Sequence, residues 1–153
     1  MDQPVCIIAG SKTDESVIMG AVKVLNELNV PFSKYVCSAH RDPERLKGIV
    51  TEAENGGCRV FICLAGMAAH LPGVVASLTT KPVVGVPVSG SSLDGMDALL
   101  SIVQMPRGIP VACVAIDGGT NGAILACEII AADPQWHLLK EEIEHMRARA
   151  REI

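Results

Sequence analysis

Five short, almost wholly apolar runs, each followed by a stretch of helical length, constrain this chain more than any other feature. They fall at Pro4 to Ala9, Phe32 to Cys37, Cys58 to Leu64, Pro82 to Val88 and Pro110 to Ile116. A strand with one wet face alternates apolar and polar residues. These runs do not, so the pattern predicts strands covered on both faces, which means a parallel sheet joined by right-handed helical crossovers. Between the runs, Ile18, Ala21, Val22, Leu25 and Leu28 keep the 3/4 spacing of a buried helical stripe, Glu44 to Glu54 reads as a charged helix, and Thr120 to Ala132 reads as another. The 153 residues suffice for one such core and leave no room for a second. The predicted fold is a single domain over residues 1–153, an α/β/α three-layer sandwich whose five-stranded parallel sheet has the flavodoxin-like order 2-1-3-4-5.

With a net charge of −4 and no run of Lys or Arg, the overall field repels nucleic acid, so an anionic ligand must be held by local groups. No apolar stretch reaches the ~18 residues of a membrane span, and Met1-Asp2-Gln3 lacks the basic flank of a signal peptide, so the expectation is a cytoplasmic protein without a membrane partner. The six cysteines show neither CxxC pairs nor zinc-ligand spacing and read as reduced, buried hydrophobes. Pro134 opens a last helix over 134–153. Its residues Trp136, Leu139, Ile143, Met146 and Ala150 form a narrow apolar seam flanked by charge, which can fold back on its own domain or, the favoured expectation, dock on a neighbouring subunit.

Ligands of an open parallel sheet sit beyond the carboxyl ends of its strands, where helix N-termini present free N–H groups. Four loops therefore carry candidate chemistry: Gly10 to Asp14, Ser38 to Pro43, Ala65 to Gly73 and Ser89 to Asp94. The first offers hydroxyls and flexible backbone to a phosphate, yet it matches neither GxxxxGK[ST] nor GxGxxG, which argues against a nucleoside-triphosphate cradle or a dinucleotide site. Taken alone, its Ser11 and Asp14 read as helix caps. The second places Ser38, His40 and Arg41 within four residues. Arg can clamp a phosphate while His exchanges protons near neutral pH; the plainer alternative pairs Arg41 with Asp42 or Glu44 and leaves His40 merely exposed. The third is small and apolar apart from His70, which reads as a hydrogen-bonded core or interface histidine beside a dry floor for a flat heterocycle or a nonpolar reactant. His137 and His145 lie on the polar face of the last helix, so no metal site is predicted. A Ser-His-Asp hydrolase would need a GxSxG elbow, which is absent.

Together, the segments GSKTD, SAHRDPE, AGMAAHLPG and LDGMDALLSIVQMPRGIPV and the downstream Asn121-Gly122-Ala123 resemble the N5-carboxyaminoimidazole ribonucleotide mutase (PurE) family of purine biosynthesis, class I type, over roughly residues 4 to 132. The resemblance implies a homo-octamer with sites at subunit boundaries, acting on an imidazole ribonucleotide and CO2 with no ATP, metal, biotin or other cofactor. It implies that Ser11, Asp14, Ser38 and Arg41 hold the ribose 5-phosphate end, with Asp14 on ribose hydroxyls because a carboxylate repels phosphate. His40 corresponds to the family's proton-transferring histidine. Gly66, Ala68 and Ala69 fall in the CO2 pocket, and His70 helps to build the site. Two departures stand out. Met67 replaces the second glycine of an AGGAAHLPG-type loop, and Asp117 to Gly122 is shorter than the usual Gly/Ala-rich segment; both bear on the CO2 pocket or the ring's seat. Two alternatives remain at this stage. One is the related carboxylase that takes free CO2, which usually has Lys where this chain has Arg41; the other is a non-catalytic module binding a nucleoside monophosphate.

Overall fold

Each apolar run becomes a strand because only a sheet core removes all of its side chains from water at once. The structure, a computed structural model describing residues 2–152, places β1 (Val5–Ala9), β2 (Phe32–Val36), β3 (Val60–Gly66), β4 (Val83–Val88) and β5 (Ala112–Cys113) in one parallel sheet of order β2-β1-β3-β4-β5. The predicted flavodoxin-like architecture is the observed one. Along β1, Val5, Ile7 and Ala9 enter one core while Cys6 and Ile8 enter the other, and all five are fully buried. Helices α1 (Glu15–Glu27), α5 (Gly119–Ala131) and α6 (His137–Ala150) cover the first face; α2 (Pro43–Asn55), α3 (Leu71–Leu78) and α4 (Met96–Val103) cover the second.

The two edges depart from the expected pattern. β2 is only half-buried, with Lys34 exposed, so coverage on both faces holds for β1, β3 and β4. Expected over Pro110 to Ile116, β5 pairs only at Ala112 and Cys113. Pro110 has no N–H to donate, and an edge strand has a partner on one side only. The chain stays close to β4 all the same, because Val114 N–H donates to Gly85 O at 3.2 Å and Asp117 N–H to Pro87 O at 2.8 Å.

The terminal helix starts with a 3-10 turn at Pro134–Trp136 and then runs as α6. Its seam turns inward: Leu139 and Ile143 are buried in the core shared with α1 and α5, and Trp136 and Met146 pack beside them. The middle of the seam expected to meet a neighbour is thus covered from within the chain, where Arg147 of α6 pairs with Glu128 of α5. Helices α1 and α5 meet backbone to backbone. A Cβ added to Gly119 would lie 2.0 Å from the Val17 carbonyl oxygen, and one on Gly122 would lie 2.8 Å from Val86 Cγ2.

All six cysteines are free and five are buried. Burial pushes the Cys6 thiol up to about 11 and those of Cys58 and Cys127 up to about 12, so they pack as hydrophobes and are not thiolate nucleophiles near neutral pH. Among the described residues, no helix is long and apolar enough to cross a membrane.

Candidate active site

Parallel strands deliver their following loops to one end of the sheet, so residues far apart in sequence converge there. An open cleft of about 600 Å³ is lined by Ser11 and Asp14 after β1, Ser38, His40 and Arg41 after β2, Gly66, Ala68 and His70 after β3, and Ser89 to Ser91 after β4. Every residue singled out from the sequence lines it except Ala69, which is 1% exposed and packs into the core under α2, α3 and α4. The small-residue loop sends that methyl group inward because Ala69 N–H donates to Met67 O and His70 N–H to Ala68 O, two tight successive turns.

The first loop does more than cap. Ser11 Oγ accepts from Thr13 N–H at 3.2 Å, capping a 3-10 turn at Lys12–Asp14. Asp14 precedes α1 but makes no side-chain capping bond. Its Oδ1 accepts from Thr13 Oγ1 at 3.4 Å, while Oδ2 is buried without a partner. Burial pushes the Asp14 carboxyl above the usual carboxylate range and the nearby Asp117 charge adds to this, against the pull of the Thr13 hydroxyl and the Ser11 backbone N–H.

A raised folded pKa means that the folded state holds the proton more tightly, so stability falls as pH rises from 3.8 through the raised value. Above the raised value the ionised carboxyl is a buried charge held at a cost. Asp14→Asn is expected to raise the melting temperature near pH 7, with the gain over wild type shrinking towards about pH 4. Thermal melts across that range check it; a variant less stable than wild type at neutral pH would show that the carboxylate is a structural anchor.

The second loop is rigid where it holds the backbone and free where it faces the cleft. Ser38 Oγ accepts from Arg41 N–H at 3.3 Å, and Asp42 caps α2 by accepting from Arg45 N–H at 3.2 Å, with Pro43 in the first turn. Asp42 is thus engaged with backbone, and among the described residues the Arg41 guanidinium has no ion-pair partner. In the same cleft, His40 Nε2 lies 2.7 Å from His70 Nδ1, with the rings edge to face at 78°. Two N–H groups cannot face each other at that distance, so one proton lies between the two rings. Thirty residues of sequence separation hid this contact, and His70, which on its own read as a core or interface histidine, is exposed at the cleft and meets the other imidazole there.

Sequence reasoning picked out the loop after β4 but none of its residues, and it tied the Asp117 to Gly122 segment to the site by its length without naming Asp117 as a partner of Ser89. Asp117 Oδ2 accepts from Ser89 Oγ at 2.6 Å and Oδ1 from Ser89 N–H at 2.9 Å. No motif signals this pair, because only the β4–β5 register brings it together. Met67, the departure in the third loop, adopts φ 53°, the left-handed region where glycine is free of strain, and it is 66% exposed at the cleft. Among the described residues, no group of three or more His, Cys, Asp or Glu side chains is placed to hold a metal ion.

Comparison with known proteins places the chain in a family. The profile of the AIR carboxylase family matches residues 4–152. The chain belongs to the AIR carboxylase family. Within it, the chain is 52% identical over 149 residues to an N5-carboxyaminoimidazole ribonucleotide mutase of Methanocaldococcus jannaschii, covering 97% of this chain and 92% of that protein. It is also 54% identical over 125 residues to a phosphoribosylaminoimidazole carboxylase of Schizosaccharomyces pombe, but there it covers 82% of this chain and only 23% of the relative. A crystal structure of Treponema denticola PurE superposes with a TM-score of 0.85 at 24% identity, over 97% of this chain and 92% of that one, which establishes the fold. The AIR carboxylase family thus includes near full-length mutase relatives of this chain and much longer carboxylases that contain its equivalent as one part.

Proposed function

We propose that this protein is an enzyme of purine biosynthesis, an isomerase that interconverts N5-carboxyaminoimidazole ribonucleotide and 4-carboxy-5-aminoimidazole ribonucleotide. The observation that carries the reading is the 2.7 Å contact between His40 and His70 in a cleft also lined by Arg41, without an ion-pair partner among the described residues, and by the small residues Gly66 and Ala68. A phosphate is drawn to Arg41, with Ser11 and Ser38 as further hydrogen-bonding groups. The buried, partnerless Asp14 Oδ2 is an acceptor suited to ribose hydroxyls, since a carboxylate repels the phosphate itself.

The reaction begins with a carbamate on the exocyclic nitrogen. As the N–C bond breaks, its electron pair stays on nitrogen and protonated His40 supplies a proton, giving the amine and free CO2. CO2 has no charge to anchor it, so it must be retained by shape. The Gly66–Ala68 segment, apolar throughout and with Met67 as its one bulky side chain, holds it beside C4, where attack is effectively unimolecular. The ring's electron pair forms the new C–C bond, and His40, now neutral, removes the C4 proton to restore aromaticity and regain its charge. The proton given to nitrogen is balanced by the proton taken from carbon, so no net proton is consumed.

The nearly complete overlap with a mutase, against a quarter of the length of a fungal carboxylase, favours the isomerase over the enzyme that takes up free CO2. We further propose a homo-octamer in the cytoplasm, as the family resemblance implies. Six unbridged cysteines suit a reducing compartment. Met96, Leu100 and Val103 recur along one stripe of α4 at 49%, 53% and 48% exposure, an apolar face suited to a neighbouring copy. The test is turnover of both nucleotides with and without bicarbonate, on a preparation sized by light scattering. Conversion of the carbamate without bicarbonate, at eight times the chain mass, is expected. A strict need for bicarbonate would overturn the isomerase, and a monomeric mass would overturn the assembly.

A further inference from the structure

Asp117 is a residue whose position needs a reason. It holds φ 59°, a conformation L residues avoid, although Asp and Asn tolerate it better than most. In that conformation both carboxylate oxygens reach Ser89 across the β4–β5 edge of the cleft, at 2.6 Å to the hydroxyl and 2.9 Å to the backbone N–H. A hydroxyl has one proton, and here it is given to Asp117. Ser89 Oγ therefore faces the cleft with lone pairs only and can accept a hydrogen bond but not donate one.

Charge sorts the two ends of the cleft in the same sense. Asp117 lies close enough to Asp14 to raise its pKa, and Asp14 Oδ2 is a second acceptor, buried and without a donor. The Ser89–Asp117 pair presents negative charge and an acceptor, Asp14 follows β1 between the two ends, and the Arg41 guanidinium, without an ion-pair partner among the described residues, follows β2 at the other edge of the sheet. A phosphate is excluded from the Ser89 end and attracted to the Arg41 end.

We propose that Asp117 is a positioning residue that fixes Ser89 as an acceptor for the exocyclic amine of the aminoimidazole ring, and so sets the direction in which the nucleotide lies. The inference rests on the imidazole nucleotide reading above. With the amine at Ser89, the neighbouring C4 turns towards His40, and the substrate's carboxylate points away from the Asp117 charge. Asp117→Asn keeps the left-handed backbone but reverses the polarity of the pair. The amide oxygen accepts from Ser89 N–H, the amide nitrogen donates to Oγ, and the serine proton then faces the ligand.

Calorimetric titration with three probes tests this: ribose 5-phosphate, 4-carboxy-5-aminoimidazole ribonucleotide, and the same nucleotide without its 5-amino group. Wild type is expected to prefer the amino nucleotide over the deamino one by about tenfold, the scale of one hydrogen bond lost to an unpaired partner. Asp117→Asn is expected to abolish that preference while ribose 5-phosphate affinity stays within about twofold. Ser89→Ala, which removes the acceptor outright, is expected to do the same. A preference that survives in both variants overturns the proposal, as does an equal weakening of all three probes, which would mark the pair as a loop brace. If wild type binds ribose 5-phosphate but neither imidazole nucleotide, the functional reading itself fails, and the inference with it.

Discussion

His40→Asn is expected to lose roughly 10²- to 10⁴-fold of turnover, the usual contribution of a positioned acid–base group, with nucleotide affinity little changed. Asparagine cannot give up and regain a proton near neutral pH, and its amide, which matches the Nδ1 side of the ring, stops short of the Nε2 position that meets His70. Affinity is preserved because Arg41, Ser11 and Ser38, which hold the phosphate end, are untouched. The paired control is His70→Asn. If His40 is the group that exchanges protons with substrate, an asparagine at 70, whose amide can stand at the Nδ1 position, keeps His40 oriented, and turnover falls by much less. Single-turnover kinetics and equilibrium binding on the two variants separate chemistry from affinity. An unchanged rate in His40→Asn would remove His40 from the mechanism, and a larger loss in His70→Asn would exchange the two roles.

The second large effect concerns the fold. Gly119→Ala would drive a methyl group to 2.0 Å from the Val17 carbonyl oxygen, a backbone atom that cannot move aside without unseating α1. Overpacking a core costs about 1–3 kcal/mol, occasionally more, and a collision with backbone belongs at or above the top of that range. Gly48 supplies the contrast, because a Cβ there meets nothing within 4 Å and the residue lies inside α2. Gly48→Ala is expected to stabilise by about 0.5–1 kcal/mol, the helix penalty of glycine relative to alanine. Urea unfolding midpoints of the two variants should move in opposite directions. Equal midpoints would mean that α1 and α5 are not in the close contact described.

What the sequence disclosed follows from which interactions are local. The strands and their order were legible because Val5 to Ala9 or Val83 to Val88 can be satisfied only in a buried parallel sheet, and the helices because their stripes and caps lie within a few residues of each other. β5 was read too long because sheet pairing depends on a neighbour's register as well as on apolar character. Most cleft residues were found because strand ends predict where loops gather. Ala69 was the exception: a methyl group in a loop of small residues gives no sign of which way it points, and here it points into the core. The contacts His40 to His70 and Ser89 to Asp117 span 30 and 28 residues and exist only once strand order is set, so nothing local announces them. The partnerless oxygen of Asp14 was equally hidden, since an aspartate before a helix ordinarily reads as a cap.

The approach of α5 to α1 through Gly119 also divides the freedom of the cleft unequally. The turn bearing Asp14 and the segment bearing Asp117 are yoked by main-chain contact, so neither shifts without the other. Attempts to re-engineer this scaffold for a bulkier guest must therefore move both together or leave both in place.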